Sequence, residues 1–223
     1  MKALKTNLIF FIVYTSFLSG CLTAGKVDHQ VAKQYIDNQR TPSKKQNDLI
    51  SVTSSLITGN NQISTTETKT SNVLPLLVYW SWDYKNTCTL NPQIPINNFT
   101  KTVLVNKGLK AKLNGQKLAL TVEQIPNKFA ILDKAHLIFL IYAFGWDNVS
   151  IKAENMDMVV SYRLLSDTME VKKGIITIPY NNDKMKLGMF KSWRKATSEY
   201  LDQYDANIAS MSKLFAEQLS KEL

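Results

Sequence analysis

The sequence predicts an α+β fold: an antiparallel or mixed sheet of about four to six strands with two helices packed on one face, the C-terminal helix long. Three observations carry this. Segments of period-two alternation follow one another by short turns. The C-terminal stretch places its apolar residues on one helical stripe. No period of 20–50 residues recurs, which excludes a solenoid.

Each element has its own signal. Leu74 to Tyr84 reads as a strand, with Trp80, Trp82 and Tyr84 on one face and Tyr79, Ser81 and Asp83 on the other. Pro92 and Pro95 then break the chain, and Asn97 or Asn98 is placed to cap a helix reaching about Leu113. Phe99, Val103, Val105, Leu109 and Leu113 give that helix a ragged apolar side, weakened by Gly108. Asn114-Gly115 makes a tight turn, since both residues tolerate positive φ. In the next strand Leu118, Leu120 and Val122 alternate with Ala119, Thr121 and Glu123. His136 to Trp146, almost wholly apolar and aromatic, reads as a central buried strand. Met156, Met158, Val160, Tyr162 and Leu164 alternate with polar residues, turn at Ser166-Asp167-Thr168, and return through Val171 to Tyr180 as a hairpin. From about Met189 to Leu223, the residues Trp193, Tyr200, Tyr204, Ile208, Met211, Phe215 and Leu219 form one stripe of a long amphipathic helix.

The N-terminus carries the most specific motif. Lys2 and Lys5 precede the apolar run Leu8 to Phe17, then Leu18-Ser19-Gly20-Cys21. The run is about half the length a spanning helix needs, and fits the h-region of a signal peptide. Leu18-Ser19-Gly20-Cys21 resembles the bacterial lipobox, in which a peptidase cuts before a cysteine that carries acyl chains. The resemblance implies a signal peptide over residues 1–20, lipidation at Cys21 and anchoring in a bilayer by two or three acyl chains. An ordinary signal or an uncleaved anchor fits the length and flanks less well. Leu22 after the cysteine favours the outer membrane over the inner one by the usual sorting pattern.

With residues 1–20 removed, 203 of 223 residues remain and the formal charge falls from +9 to +7 as Lys2 and Lys5 leave. A basic surface suits anionic lipid, lipopolysaccharide or wall polymer, and export argues against nucleic acid as the partner. Residues 21–72 read as lipid anchor and flexible polar tether, because Lys26 to Asn72 is rich in Ser, Thr, Asn, Gln and Lys with Tyr35 its sole aromatic. Val27, Val31 and Tyr35 have helical spacing, so one short helix is admitted there. The 47 residues 26–72 would span roughly 35–40 Å when relaxed. The single periplasmic domain is then residues 73–223.

Catalytic chemistry is not indicated. His29 and His136 are the two histidines, too few for a metal cluster or a credible triad, and no cofactor motif occurs. Glu199, Asp202 and Asp205 share one helix side as solvated charges, and Glu123 with Asp147 has nothing to single it out as a glycosidase pair. Cys88 reads as a small buried hydrophobe rather than a disulfide partner.

Two sets remain as candidate binding residues. Trp80, Trp82 and Tyr84 could stack sugars or anchor a protein, although the strand's core face is the stronger reading. Lys184, Lys186, Lys191, Arg194 and Lys195 gather positive charge near the start of the last helix, as do Lys101, Lys107, Lys110, Lys112 and Lys117 around the first. A phosphate or lipopolysaccharide would suit either set, and scattered solvated lysines explain both.

The tether, the strand–helix–strands order and the ending Phe215-Ala216-Glu217-Gln218-Leu219 resemble small outer-membrane auxiliary lipoproteins: the ABC-transport auxiliary lipoproteins, the lipopolysaccharide-assembly lipoprotein and penicillin-binding-protein activators. That resemblance implies a non-catalytic accessory role, docking onto a protein partner in a transport, assembly or wall-synthesis machine. A tethered glycan or lipid binder is the alternative, and a cell-envelope hydrolase a third.

Overall fold

A computed structural model describes residues 24–36, 49–56, 64–74, 79–139, 143–166, 169–181, 185–186 and 192–223. The described elements run α1 (Ala24–Ile36), β1 (Ile50–Ser54), β2 (Ser64–Leu74), β3 (Tyr79–Thr89), α2 (Gln93–Val105), α3 (Lys107–Lys112), β4 (Lys117–Gln124), β5 (Lys128–Phe139), β6 (Ala143–Ala153), β7 (Met158–Ser166), β8 (Met169–Ile178), β9 (Met185–Lys186) and α4 (Trp193–Glu222).

The fold is α+β with a long C-terminal helix, and its strands divide between two sheets. One has four strands in the order β1-β4-β7-β8, and the other five in the order β2-β3-β5-β6-β9. Only the β1–β4 pair is parallel among the described ladders.

Alternation sets the core face of the four-stranded sheet. Leu118, Leu120, Val122, Met158, Val160, Tyr162, Leu164, Ile176 and Ile178 are buried, as the period-two pattern requires. Asn114 and Gly115 turn the chain into β4 with φ of 47° and 84°, the left-handed geometry expected of this pair.

The long helix serves both sheets. Tyr200 near its start packs on Phe129 of β5 at 4.9 Å between ring centroids, while Glu222 at its end accepts a hydrogen bond from Tyr162 of β7. Its expected stripe is buried except for half-buried Trp193. Ser192 caps it, accepting from Lys195 N–H at 3.3 Å.

Several expectations are corrected. The first helix begins at Gln93 and ends at Val105; Asn106 interrupts it and caps α3 by accepting from Leu109 N–H at 3.0 Å. Asn114 is therefore preceded by two helices, not one. The strand read over 74–84 straddles a hairpin, since Leu74 ends β2 and pairs with Tyr79 of β3. The run 136–146 is likewise a hairpin, with Phe139 of β5 opposite Ala143 of β6. It is not a buried strand: Phe144 and Trp146 are 62% and 42% exposed.

The largest correction concerns the polar stretch 21–72. Its described residues belong to the fold, and the boundary at 72/73 falls inside β2. Val27, Val31 and Tyr35 are fully buried, and α1 packs on α4, β2 and β3. Three side chains of α1 are partnered on α4. Gln30 donates to Ser198 at 3.0 Å, Gln34 to Asp202 at 2.9 Å, and the Tyr35 hydroxyl to Asp205 at 3.4 Å. Ile50 is buried where β1 joins β4, and the threonines of β2 suit an extended chain.

Candidate binding surfaces

The direction of the helices over the five-stranded sheet defines its two ends. The Tyr200 ring lies tilted against Phe129, and one turn later the Tyr204 hydroxyl donates to the Pro126 carbonyl at 2.5 Å. The helix α4 thus runs antiparallel to β5, with its N-terminus toward the Phe139 end. The three hydrogen bonds from α1 ascend both helices together, so α1 lies parallel to α4 with its own N-terminus at the same end.

Trp193 precedes Tyr200 by about 10 Å of helix, or roughly three strand residues. The sheet therefore continues roughly 20 Å past the helix ends, from near Asp133 to Phe139 on β5. Register assigns its faces. Cys88, Asn86, Phe129, Ile131, Ile151 and Ala153 are buried beneath the helices. Farther out on the same face come Tyr84, Trp82 and Trp80, with Ala135 and Leu137 of β5 opposite the two tryptophans, all half-buried. The aromatic set shares the core face as expected but lies beyond the core.

The opposite face at this end is also aromatic. His136 stands directly across from Trp146, their rings 5.0 Å apart and within 20° of parallel. Tyr79 stacks on the other side of His136 at 6.1 Å and its hydroxyl hydrogen-bonds His136 Nδ1 at 2.8 Å. Phe144 opposes Ile138. His136 is thus hydrogen-bonded on a central strand. Asp83 on this face pairs with Lys134 at 3.5 Å.

At the adjoining helix ends, Arg194 and Lys195 are exposed, and the Arg194 guanidinium lies 5.4 Å from the Trp193 ring. Lys26 is exposed in the first turn of α1, and Lys85 on β3. Neither helix has an acidic residue in its first turn. Lys186 lies in β9 opposite Ser150. Cys21, Lys184 and Lys191 lie outside the described residues. The lysines around the first helix distribute over α2, α3 and β4.

A second surface is the outer face of the four-stranded sheet. β8 is an edge strand among the described residues. Its register skips Val171 between Lys172 and Glu170, a bulge that leaves Val171 56% exposed. Beyond the bulge, Lys173 faces Arg163 and Ile175 faces Ser161. With Thr121 they line a groove of about 380 Å³. Ile175 is 63% exposed, and Lys173 pairs with Glu170 at 3.3 Å. Gly174 leaves room for the Tyr162 ring: a Cβ there would lie 2.8 Å from ring and hydroxyl atoms.

Two carboxylates of α4 take part in packing α1. Asp202 and Asp205 receive α1, and burial lifts the Asp205 carboxyl to about 6 against the opposing donation from Tyr35. This corrects the reading of Asp205 as a solvated charge, while Asp202 is exposed as expected. Glu123 and Asp147 lie in different sheets. Cys88 is fully buried, and burial with nearby Asp28 pushes its thiol up to about 12. No group of three or more metal-ligating side chains occurs among the described residues, and none of their helices is long and apolar enough to cross a membrane.

Sequence reasoning misses Tyr79, Phe144, Trp146, Arg163 and Ile175 as surface residues. A signal for two of them is present: an apolar run of eleven residues from His136 to Trp146 exceeds an ordinary buried strand. No protein-family model matches the chain, and searches of curated proteins and of solved structures return no match.

Proposed function

We propose that this chain is an acylated lipoprotein of the bacterial cell envelope, outer membrane rather than inner, that works as a non-catalytic docking component for a protein partner. Cys21 is the acylated residue. The observation that carries the docking role is β8: an edge strand among the described residues, whose Ile175 is 63% exposed beside the cationic pair Arg163 and Lys173. Edge strands template pairing unless something covers them. An extended segment of a partner, carrying acidic and apolar side chains, fits here by strand addition along residues 173–178, with its apolar side chains on Ile175 and its acids on Arg163 and Lys173.

A photo-crosslinking residue placed at Ile175 tests this in living cells. The proposal expects one discrete envelope-protein adduct at 175 and none at exposed Glu217 on α4. Absence of an adduct at 175, or the same adducts at both positions, refutes it.

A further inference from the structure

We infer that the aromatic end of the five-stranded sheet, together with the N-termini of α1 and α4, is a membrane-facing surface that seats the domain on anionic lipid headgroups. The inference rests on the acyl-anchor reading and adds an orientation to it.

Four independent placements converge. The first is covalent: Ala24, the first residue of α1, follows Cys21 by three peptide steps, so an acylated Cys21 lies within about 11 Å of it. Because Val27 and Val31 are fully buried, that short connection ends on the folded domain itself. The second is direction: α1 and α4 are parallel, so the anchor enters beside Trp193, Arg194 and Lys195.

The third is composition. The chain contains four tryptophans, and all of them lie at this end: Trp80 and Trp82 on one face of the sheet, Trp146 on the other, and Trp193 at the helix start. Trp and Tyr favour the bilayer interface, where an apolar ring body meets a polar edge. Half-buried Tyr79 and Tyr84 and exposed Phe144 extend the set. The fourth is charge. Lys26, Lys85, Arg194 and Lys195 are exposed around the aromatic residues. Three carboxylates lie at this end of the sheet: Asp83 is paired with Lys134, Asp133 is 9% exposed, and Asp147 stands opposite Ala135 on β6. A cationic rim of this kind strengthens attachment to an anionic leaflet and weakens as salt rises.

A glycan or protein would also meet aromatic rings, but neither accounts for the anchor arriving at the same end. Acyl chains and a basic-aromatic surface together make the two-signal arrangement that stable peripheral attachment needs.

The test uses the full acylated protein reconstituted into phosphatidylcholine vesicles with and without about one-third phosphatidylglycerol, the acyl chains brominated or plain. Flotation reports the anchor, and tryptophan emission reports the surface. The inference expects flotation in every case and emission on anionic vesicles at least twofold lower with brominated than with plain lipid. The double variant Arg194→Glu/Lys195→Glu should lose most of the extra quenching that phosphatidylglycerol brings. Acidic residues suit the first turn of a helix, so that loss would not reflect misfolding. Flotation with emission indifferent to bromine overturns the orientation while leaving the anchor intact. Emission that responds instead to added peptidoglycan fragments also overturns it, assigning the aromatic end to glycan. Failure to float overturns the acyl-anchor reading, and the orientation falls with it.

Discussion

Replacing Val31 by alanine asks whether α1 belongs to the cooperative fold. Val31 would be open to solvent in a tether; in the structure it is at 0% exposure within the main core cluster. The substitution removes two methyl groups. At about 0.8 kcal/mol each, plus the cavity they leave beneath α4, the loss comes to about 2–3 kcal/mol. Urea unfolding of the purified protein in detergent, followed by circular dichroism, reads this directly. With a slope of about 2–3 kcal/mol/M, the midpoint should fall by about 1 M. Lys33→Ala on the exposed side of the same helix should change stability by less than about 0.5 kcal/mol. Equal midpoints for the two variants would refute the packing of α1 and restore the tether.

Two further outcomes follow from the interior. Asp205 has a folded-state pKa raised to about 6, so the stability tied to its protonated form is present below about pH 4 and is lost as pH rises toward and through 6. Asp205→Asn, which keeps an acceptor for Tyr35, should flatten the stability profile over that window and raise stability at about pH 8; an unchanged profile would contradict the burial of the carboxyl. Gly174→Ala places a methyl 2.8 Å from the Tyr162 ring, which is 2% exposed and hydrogen-bonded to Glu222, so overpacking should cost about 1–3 kcal/mol in thermal or urea unfolding. Wild-type stability in that variant would show that the ring is free to move aside.

What is legible in the sequence is what local pattern specifies. Alternation in 118–122 and 158–164, the positive-φ pair Asn114-Gly115 and the stripe from Tyr200 to Leu219 all describe structure that forms against an adjacent surface, and each is found. The long-range partnerships are not legible. Val27, Val31 and Tyr35 make a stripe one residue wide in a polar sequence, and its stability depends on Ser198, Asp202 and Asp205, more than 160 residues away. The glutamines that lower the apparent hydrophobicity are the side chains that dock the helix. The two hairpins 74–79 and 139–143 read as continuous strands because their joining sequences are as apolar as the strands. An ordinary loop carries polar turn residues, and their absence here hides the turn. The aromatic surface is half legible for the same reason: alternation assigns Trp80, Trp82 and Tyr84 to one face, while the stack of Tyr79, His136 and Trp146 exists only once β5 folds back as β6.

On the proposal that Cys21 is acylated, the position of α1 changes what the anchor would do. A lipid on a 47-residue leash would let the domain work at a distance, whereas a lipid three peptide steps from a buried helix holds the domain down. Docking through β8 would then take place away from the bilayer, since Tyr162 and Lys172 bond to Glu222 at the C-terminus of α4, about 45 Å along the 30-residue helix from its membrane-facing start.

Neutron reflectometry of the acylated protein on a supported anionic bilayer separates a seated domain from a leashed one most directly. A domain seated through α1 and its aromatic end should show protein density beginning within the headgroup layer, with no water-rich gap between bilayer and domain. A gap of roughly 35–40 Å, the relaxed span of a 47-residue tether, would contradict it.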